Sequence, residues 1–153
     1  MARRPMGLGI QVNSATVSPF YGFEGASETY IEGALLILDS GDSNRLDEGG
    51  TDPVNIEGIA ARSAIGTAAT AIPYYPALPG VVFEGSLDDG SAAGTGTITA
   101  SDFGASYGVT RDSGGIWYVD KNKTGADARV KIIGFRDALT TITGRVYFVF
   151  LIG

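Results

Sequence analysis

The densest set of oxygen ligands in this chain is Asp39, Asp42, Asn44, Asp47, Glu48 and Asp52. Calcium prefers several such donors, and an EF-hand loop spaces them with a glycine at its sixth position and a glutamate at its twelfth. Counted from Asp42, Asn44 meets the third position, but Leu46 and Asp47 fall at the fifth and sixth. Asp39 gives no better register. The stretch therefore reads as a solvated surface loop, and no metal or other cofactor is expected.

Other candidate chemistry is equally short of its requirements. Asp88 and Asp89 are paired carboxylates, but glycoside hydrolysis needs two groups facing each other across a cleft, not neighbours beside Gly90. They read as the start of a loop tip running from Asp88 to Gly96. Gly94-Thr95-Gly96-Thr97 and Gly114-Gly115 lack the Lys-Ser/Thr ending and the following helix of a phosphate loop. The chain contains no histidine and no cysteine. That removes the commonest general base, the Ser-His-Asp and Cys-His arrangements, and thiolate metal sites. A non-catalytic protein is the expectation.

The aromatic residues offer binding rather than catalysis. They group at Phe20, Tyr21 and Phe23, at Tyr74 and Tyr75, at Trp117 and Tyr118, and at Tyr147, Phe148 and Phe150. Strand alternation sends neighbouring aromatics to opposite faces, so one of each close pair belongs to a core. Tyr74 and Tyr75 lie among Pro73, Pro76 and Pro79, and exposed aromatics in such a setting act as interface anchors.

The elements that position these residues are strands. Glycine, at 23 of 153 residues, is well above its usual share of about 7%. It punctuates short apolar runs: Thr29 to Leu38, Val54 to Ala61, Val81 to Phe83, Ser106 to Thr110, Ile116 to Asp120, Ala128 to Phe135 and Arg145 to Leu151. In Ala128-Arg129-Val130-Lys131-Ile132 apolar and basic residues alternate, giving one buried and one wet face. The Pro73–Pro79 passage is expected to be excluded from a central strand. Ser101 is expected to cap at most one short helix. Glu-Gly follows Phe23, Ile31, Ile56 and Phe83 without a fixed period, so no solenoid is indicated.

This pattern predicts an all-β fold of mostly short antiparallel strands. It reads as a small β-barrel or β-sandwich with an extended N-terminal arm. Residues 1–20 form the arm and residues 21–153 a single β-rich domain. Leu8, Ile10 and Val12 alternate as a strand would, and such a strand either wraps its own domain or adds to another subunit's sheet edge. Leu8, Ile10, Val12, Phe20, Tyr21, Tyr74 and Tyr75 are the candidate interface residues.

Charge limits the partners. The net charge is −6, with acidic residues concentrated in 20–102 and basic ones in 103–153. An acidic domain repels phosphate, so nucleic acid is not an expected partner. The split reads first as two solvated faces, and it also allows an acidic face of one copy to meet a basic face of another. The longest apolar run, Val146 to Ile152, is far short of the roughly 20 residues of a membrane helix. Behind Arg3 and Arg4, Pro5, Gly7 and Gly9 interrupt any signal-like segment. A chain without membrane or secretory segments, made in the cytoplasm, is expected.

Several segments together resemble the head decoration, or capsid cement, proteins of tailed bacteriophages. They are Gly33-Ala34-Leu35-Leu36, Ile56-Glu57-Gly58-Ile59-Ala60, Tyr107-Gly108-Val109, Gly115-Ile116-Trp117-Tyr118-Val119-Asp120, Ala128 to Ile132 and Gly144 to Phe150. The resemblance spans roughly residues 30–151 and is one of strands and glycine turns. It implies a small β-barrel-like domain on the outer surface of a phage capsid, commonly a homotrimer. The implied partner is the major capsid protein, reached partly through an amino-terminal arm. The 73–79 passage and the Asp88–Gly96 loop have no place in that pattern. They leave open another virion component, such as a head fibre base or tail-tube relative; the aromatic groups and the acidic stretch give a separate alternative, a carbohydrate- or small-ligand-binding β-sandwich.

Overall fold

The computed structural model describes residues 9–10, 18–91 and 94–151. Its strands are β1 Gly9–Ile10, β2 Phe20–Phe23, β3 Leu35–Asp39, β4 Arg45–Glu48, β5 Ile56–Ala60, β6 Ala71–Pro76, β7 Phe83–Asp88, β8 Ser106–Arg111, β9 Trp117–Asp120, β10 Val130–Phe135 and β11 Arg145–Phe150. The only helical pieces among the described residues are single 3-10 turns. The all-β expectation therefore holds, and the architecture includes a closed barrel.

Turn chemistry starts two of the hairpins. The sequence Asp-Ser-Gly begins at the last residue of β3 and directly after β8. Asp39 Oδ1 accepts from Gly41 N at 2.7 Å, and Asp112 Oδ1 accepts from Gly114 N at 2.8 Å. An aspartate that bonds to backbone two residues on is a preformed turn. The hairpins close at the pairs Asp39↔Arg45 and Arg111↔Trp117.

The strands form two rings of the same topology. The second ring runs β7-β11-β10-β8-β9 and closes where β9 lies parallel to β7, with Leu87 opposite Val119. The first runs β2-β6-β5-β3-β4, and a parallel bridge between Glu24 and Leu46 joins its ends. Numbered within its own ring, each has the order first, fifth, fourth, second, third. The registers also coincide. Phe20↔Tyr74 repeats as Phe83↔Phe148, and Leu38↔Leu46 as Val109↔Val119. Leu36↔Gly58 repeats as Tyr107↔Val130, Ala60↔Tyr74 as Ile132↔Phe148, and Glu24↔Leu46 as Leu87↔Val119. The fold is thus a tandem of equivalent rings.

The rings share one hydrophobic core. Leu35, Leu36, Leu46, Ile59 and Ile72 of the first are contiguous with Phe83, Leu87, Val119, Ile132, Val146 and Phe148 of the second. Phe83 stacks on Phe148 at 6.0 Å and meets Phe150 edge-on at 5.1 Å. Full burial of such a side chain contributes roughly 1.5–3 kcal/mol.

Three local expectations are corrected. The Pro-rich passage does enter a central strand: β6 lies between β2 and β5. It tolerates proline because the missing N–H groups fall at ladder ends. Ala61 N donates to the Pro73 carbonyl just beyond the last β5–β6 pair, so Pro73 faces that end. Pro76, three residues on, faces the other side, and the register sets Ser18, ahead of β2, opposite it. Second, Asp88 is no loop residue. It ends β7 fully buried, because its Oδ1 accepts from Asp89 N and Gly96 N, both at 2.8 Å. Third, the 3-10 turn Ala100–Asp102 is capped by Thr99 rather than Ser101.

Candidate interaction surface

Strand β2 is an uncharged, aromatic edge. Gly22 faces the interior of its ring, where a Cβ would sit 2.3 Å from Leu46 Cδ1. Alternation therefore turns Tyr21 and Phe23 outward, and they are 70% and 60% exposed. Phe20 is half exposed, with its ring edge-on to Tyr74 at 6.2 Å.

The backbone of β2 is open in the same region. Glu24 N donates to Thr70 O at 2.8 Å and Glu24 O accepts from Ala69 N at 2.8 Å, so even-numbered residues face β6. Gly25 N donates to Leu46 O at 3.2 Å, which places the odd-numbered side toward the ring closure. Tyr21 therefore turns its N–H and C=O, and Phe23 its N–H, away from β6, while the Phe23 carbonyl faces Leu46 in the ring closure; no strand among the described residues pairs with Tyr21 on that side. Exposed rings beside main-chain groups that no described strand engages are the chemistry of strand addition.

The expected interface residues separate. Phe20 and Tyr21 lie on this edge. Tyr74 is buried, and its hydroxyl donates to Glu57 Oε1 at 3.2 Å. Burial first, and then the Glu57 charge, push that phenol up to about 12. Tyr75 is half-buried against the core. Ile10 lies in β1, opposite Phe83 of the same chain. Leu8 and Val12 fall outside the described residues. Phe23 was missing from the expected set, although its spacing of two from Tyr21 across a glycine marks it as Tyr21's neighbour on the outer face.

Elsewhere the carboxylates hold the fold together. The acidic stretch 39–52 does not converge. Asp39 caps its own turn, Glu48 accepts from Trp117 and Arg111, and Asp52 pairs with Lys123. Among the described residues no group of three or more potential metal ligands comes together. Glu24, fully buried, accepts from the backbone N–H groups of Ile65 and Gly66. Asp120 accepts from Thr110 Oγ1 and Asn122 N, both at 2.9 Å.

Asp102, also buried, binds Thr99 N at 2.7 Å, Tyr107 Oη at 2.6 Å and Lys121 Nζ at 3.0 Å. Burial raises its pKa, but those donors outweigh it and hold the carboxyl below its ordinary value. On the surface, hydrogen bonds from Ser91 hold Asp89 down at about 2. A cleft of about 270 Å³ lies between the rings, lined by Gly49, Asp52, Arg111 and Lys123. Its cations are already matched by Glu48 and Asp52.

No protein-family model, curated protein or solved structure matches this chain.

Proposed function

We propose that this protein is a virion structural component that decorates the outside of a phage head and cements its shell, acting as a homotrimer without catalysis. The observation that carries the reading is the β2 edge. Phe20, Tyr21 and Phe23 are exposed side by side on a strand with no charge from Ser18 to Phe23. Such a surface is suited to protein contact rather than to solvent. The acidic residues that might have performed chemistry are engaged in turns, caps and ion pairs. Cementing asks for rigidity and repeated weak contacts, which sum by multivalency on a symmetric shell. Two equivalent rings around one core provide the rigid part. The net charge of −6 disfavours nucleic acid as the partner.

The experiment is to mix purified protein with shells that lack it and to count bound copies by sedimentation and electron microscopy. Wild type is expected to saturate the shells. Tyr21→Ser combined with Phe23→Ser is expected to weaken binding by about tenfold or more, equivalent to about 1.4 kcal/mol, with an unchanged circular dichroism spectrum. Wild type that fails to sediment with shells, or a double variant that binds as well, rejects the reading.

A further inference from the structure

We propose that the open edge of β2 is a strand-acceptor site, and that its occupant is the Gly9–Ile10 strand of a second copy of this chain. The inference rests on reading β2 as an assembly surface. Its own support is the repeated register of the two rings.

Strand β7 takes the place of β2 in the second ring, with Phe83 equivalent to Phe20 and Glu84 to Tyr21. The edge of β7 at these positions is occupied. Gly9 lies opposite Glu84 and Ile10 opposite Phe83, antiparallel. Farther along the same edge, Leu87 and Asp88 pair with β9 and close the ring. The first ring has the matching closure at Glu24 and Leu46, but no described strand at Phe20 and Tyr21. Placing β1 on β2 in the same register sets Gly9 opposite Tyr21 and Ile10 opposite Phe20. It leaves the Glu24–Leu46 closure intact, just as β1 and β9 share β7.

Exposure and charge agree with this. Phe83 is 0% exposed, whereas Phe20 is 49% exposed. Glu84 is engaged by Arg145 and Arg136, but Tyr21, its equivalent, stands free of such partners. Monomeric proteins guard open edges with charges or short, bulged strands, and β2 carries no charge. The Gly7–Val12 sequence, Gly-Leu-Gly-Ile-Gln-Val, is likewise uncharged and alternating. Each chain has one donor strand and two edges that fit it. A strand given to a neighbour's β2 leaves its own β7, so the number of strand pairs is conserved while Phe20 becomes covered. The contact is heterologous and closes into a ring when the rotation permits.

The test uses the full chain in analytical ultracentrifugation over a wide concentration range. Wild type is expected to self-associate. Tyr21→Pro removes an N–H that faces away from β6, so it spares the fold and kills the acceptor. Gly9 lies opposite Glu84, whose N–H and C=O face away from β11 toward β1, so Gly9→Pro removes the bonding N–H and kills the donor. Each variant alone is expected to be monomeric, and their equimolar mixture to give a dimer with one copy of each. Tyr21→Lys serves as a second acceptor variant should the proline unfold the chain, and Tyr21→Phe should behave as wild type. A monomeric wild type, association that survives Gly9→Pro, or a mixture that stays monomeric overturns the proposal. Shell binding is scored separately, so either result leaves the decoration reading open to its own assay.

Discussion

Trp117, in the second ring, donates its indole N–H to Glu48 Oε1 in the first at 2.9 Å. Arg111 Nε lies 2.9 Å from the same oxygen. Trp117 is 1% exposed, so this carboxylate satisfies a buried donor that has no other partner among the described residues. One side chain thus couples the two rings at the seam. Glu48→Ala would strand the indole N–H and release Arg111. The expected loss is about 1–3 kcal/mol, the usual range for an orphaned buried donor. Glu48→Gln keeps an acceptor oxygen and is expected to lose less. Urea denaturation followed by the fluorescence of Trp117, the only tryptophan, measures both. Equal stability of wild type and Glu48→Ala would show that the contact does not couple the rings.

Much of the strand content was legible because alternation survives in the structure. Val130 and Ile132 are buried and Lys131 between them is exposed, as the alternating pattern requires. The two Asp-Ser-Gly turns also announce themselves, since the turn is made by the aspartate itself. The duplication was not legible. Equivalent positions hold unlike residues, such as Glu24 and Leu87, both fully buried. The glutamate is kept there by two backbone donors that come from far along the chain. Phe20 matches Phe83 while Tyr74 matches Phe148, so the separations differ from strand to strand and leave no sequence period. Ring closure depends on parallel pairing of distant segments, which local patterns do not encode. Tyr21 could be picked out from its sequence neighbours. Tyr74 could not, because its exposure depends on whether β6 is central, and that follows from where the Pro73 and Pro76 nitrogens point.

Two glycines predict different costs from similar crowding. A Cβ at Gly58 would lie 2.1 Å from the Tyr75 carbonyl oxygen, which is backbone. A Cβ at Gly22 would lie 2.3 Å from Leu46 Cδ1, the end of a side chain that can turn. Overpacking generally costs about 1–3 kcal/mol. Gly58→Ala is expected at or above the top of that range and Gly22→Ala near the bottom. Leu46→Ala alone opens a cavity worth about 2–5 kcal/mol. Combined with Gly22→Ala it should cost less than the sum of the two, because the new methyl occupies vacated space. Thermal or urea unfolding of the four variants checks the order. Additive costs at Gly22 and Leu46 would contradict the packing described.

Asp102 sets the acid limb of stability and its partner Tyr107 contributes to the alkaline one. The folded carboxyl of Asp102 titrates below its ordinary 3.8. A depressed folded pKa means that the stabilisation is present above the unfolded pKa and is lost as pH falls through the folded one. Wild type should therefore lose stability below about pH 4, and Asp102→Asn should be less stable at neutral pH with a shallower acid limb. The phenol of Tyr107 is raised, first by burial and then by its bond to Asp102. Tyr30 is raised chiefly by burial, and Tyr74 titrates near 12 for the same leading reason. For a raised phenol the sign is opposite to that of Asp102: its stabilisation is complete below the unfolded value of 10.0 and is lost as pH rises toward the folded one. Tyr30, Tyr74 and Tyr107 should stay protonated at pH 11 while the chain remains folded. Absorbance at the phenolate band gives the count directly. Asp102→Asn should return Tyr107 toward its ordinary value and leave Tyr30 and Tyr74 where they were. An unchanged count in the variant would mean that burial alone holds Tyr107 neutral, and that the Asp102 bond has no part in it.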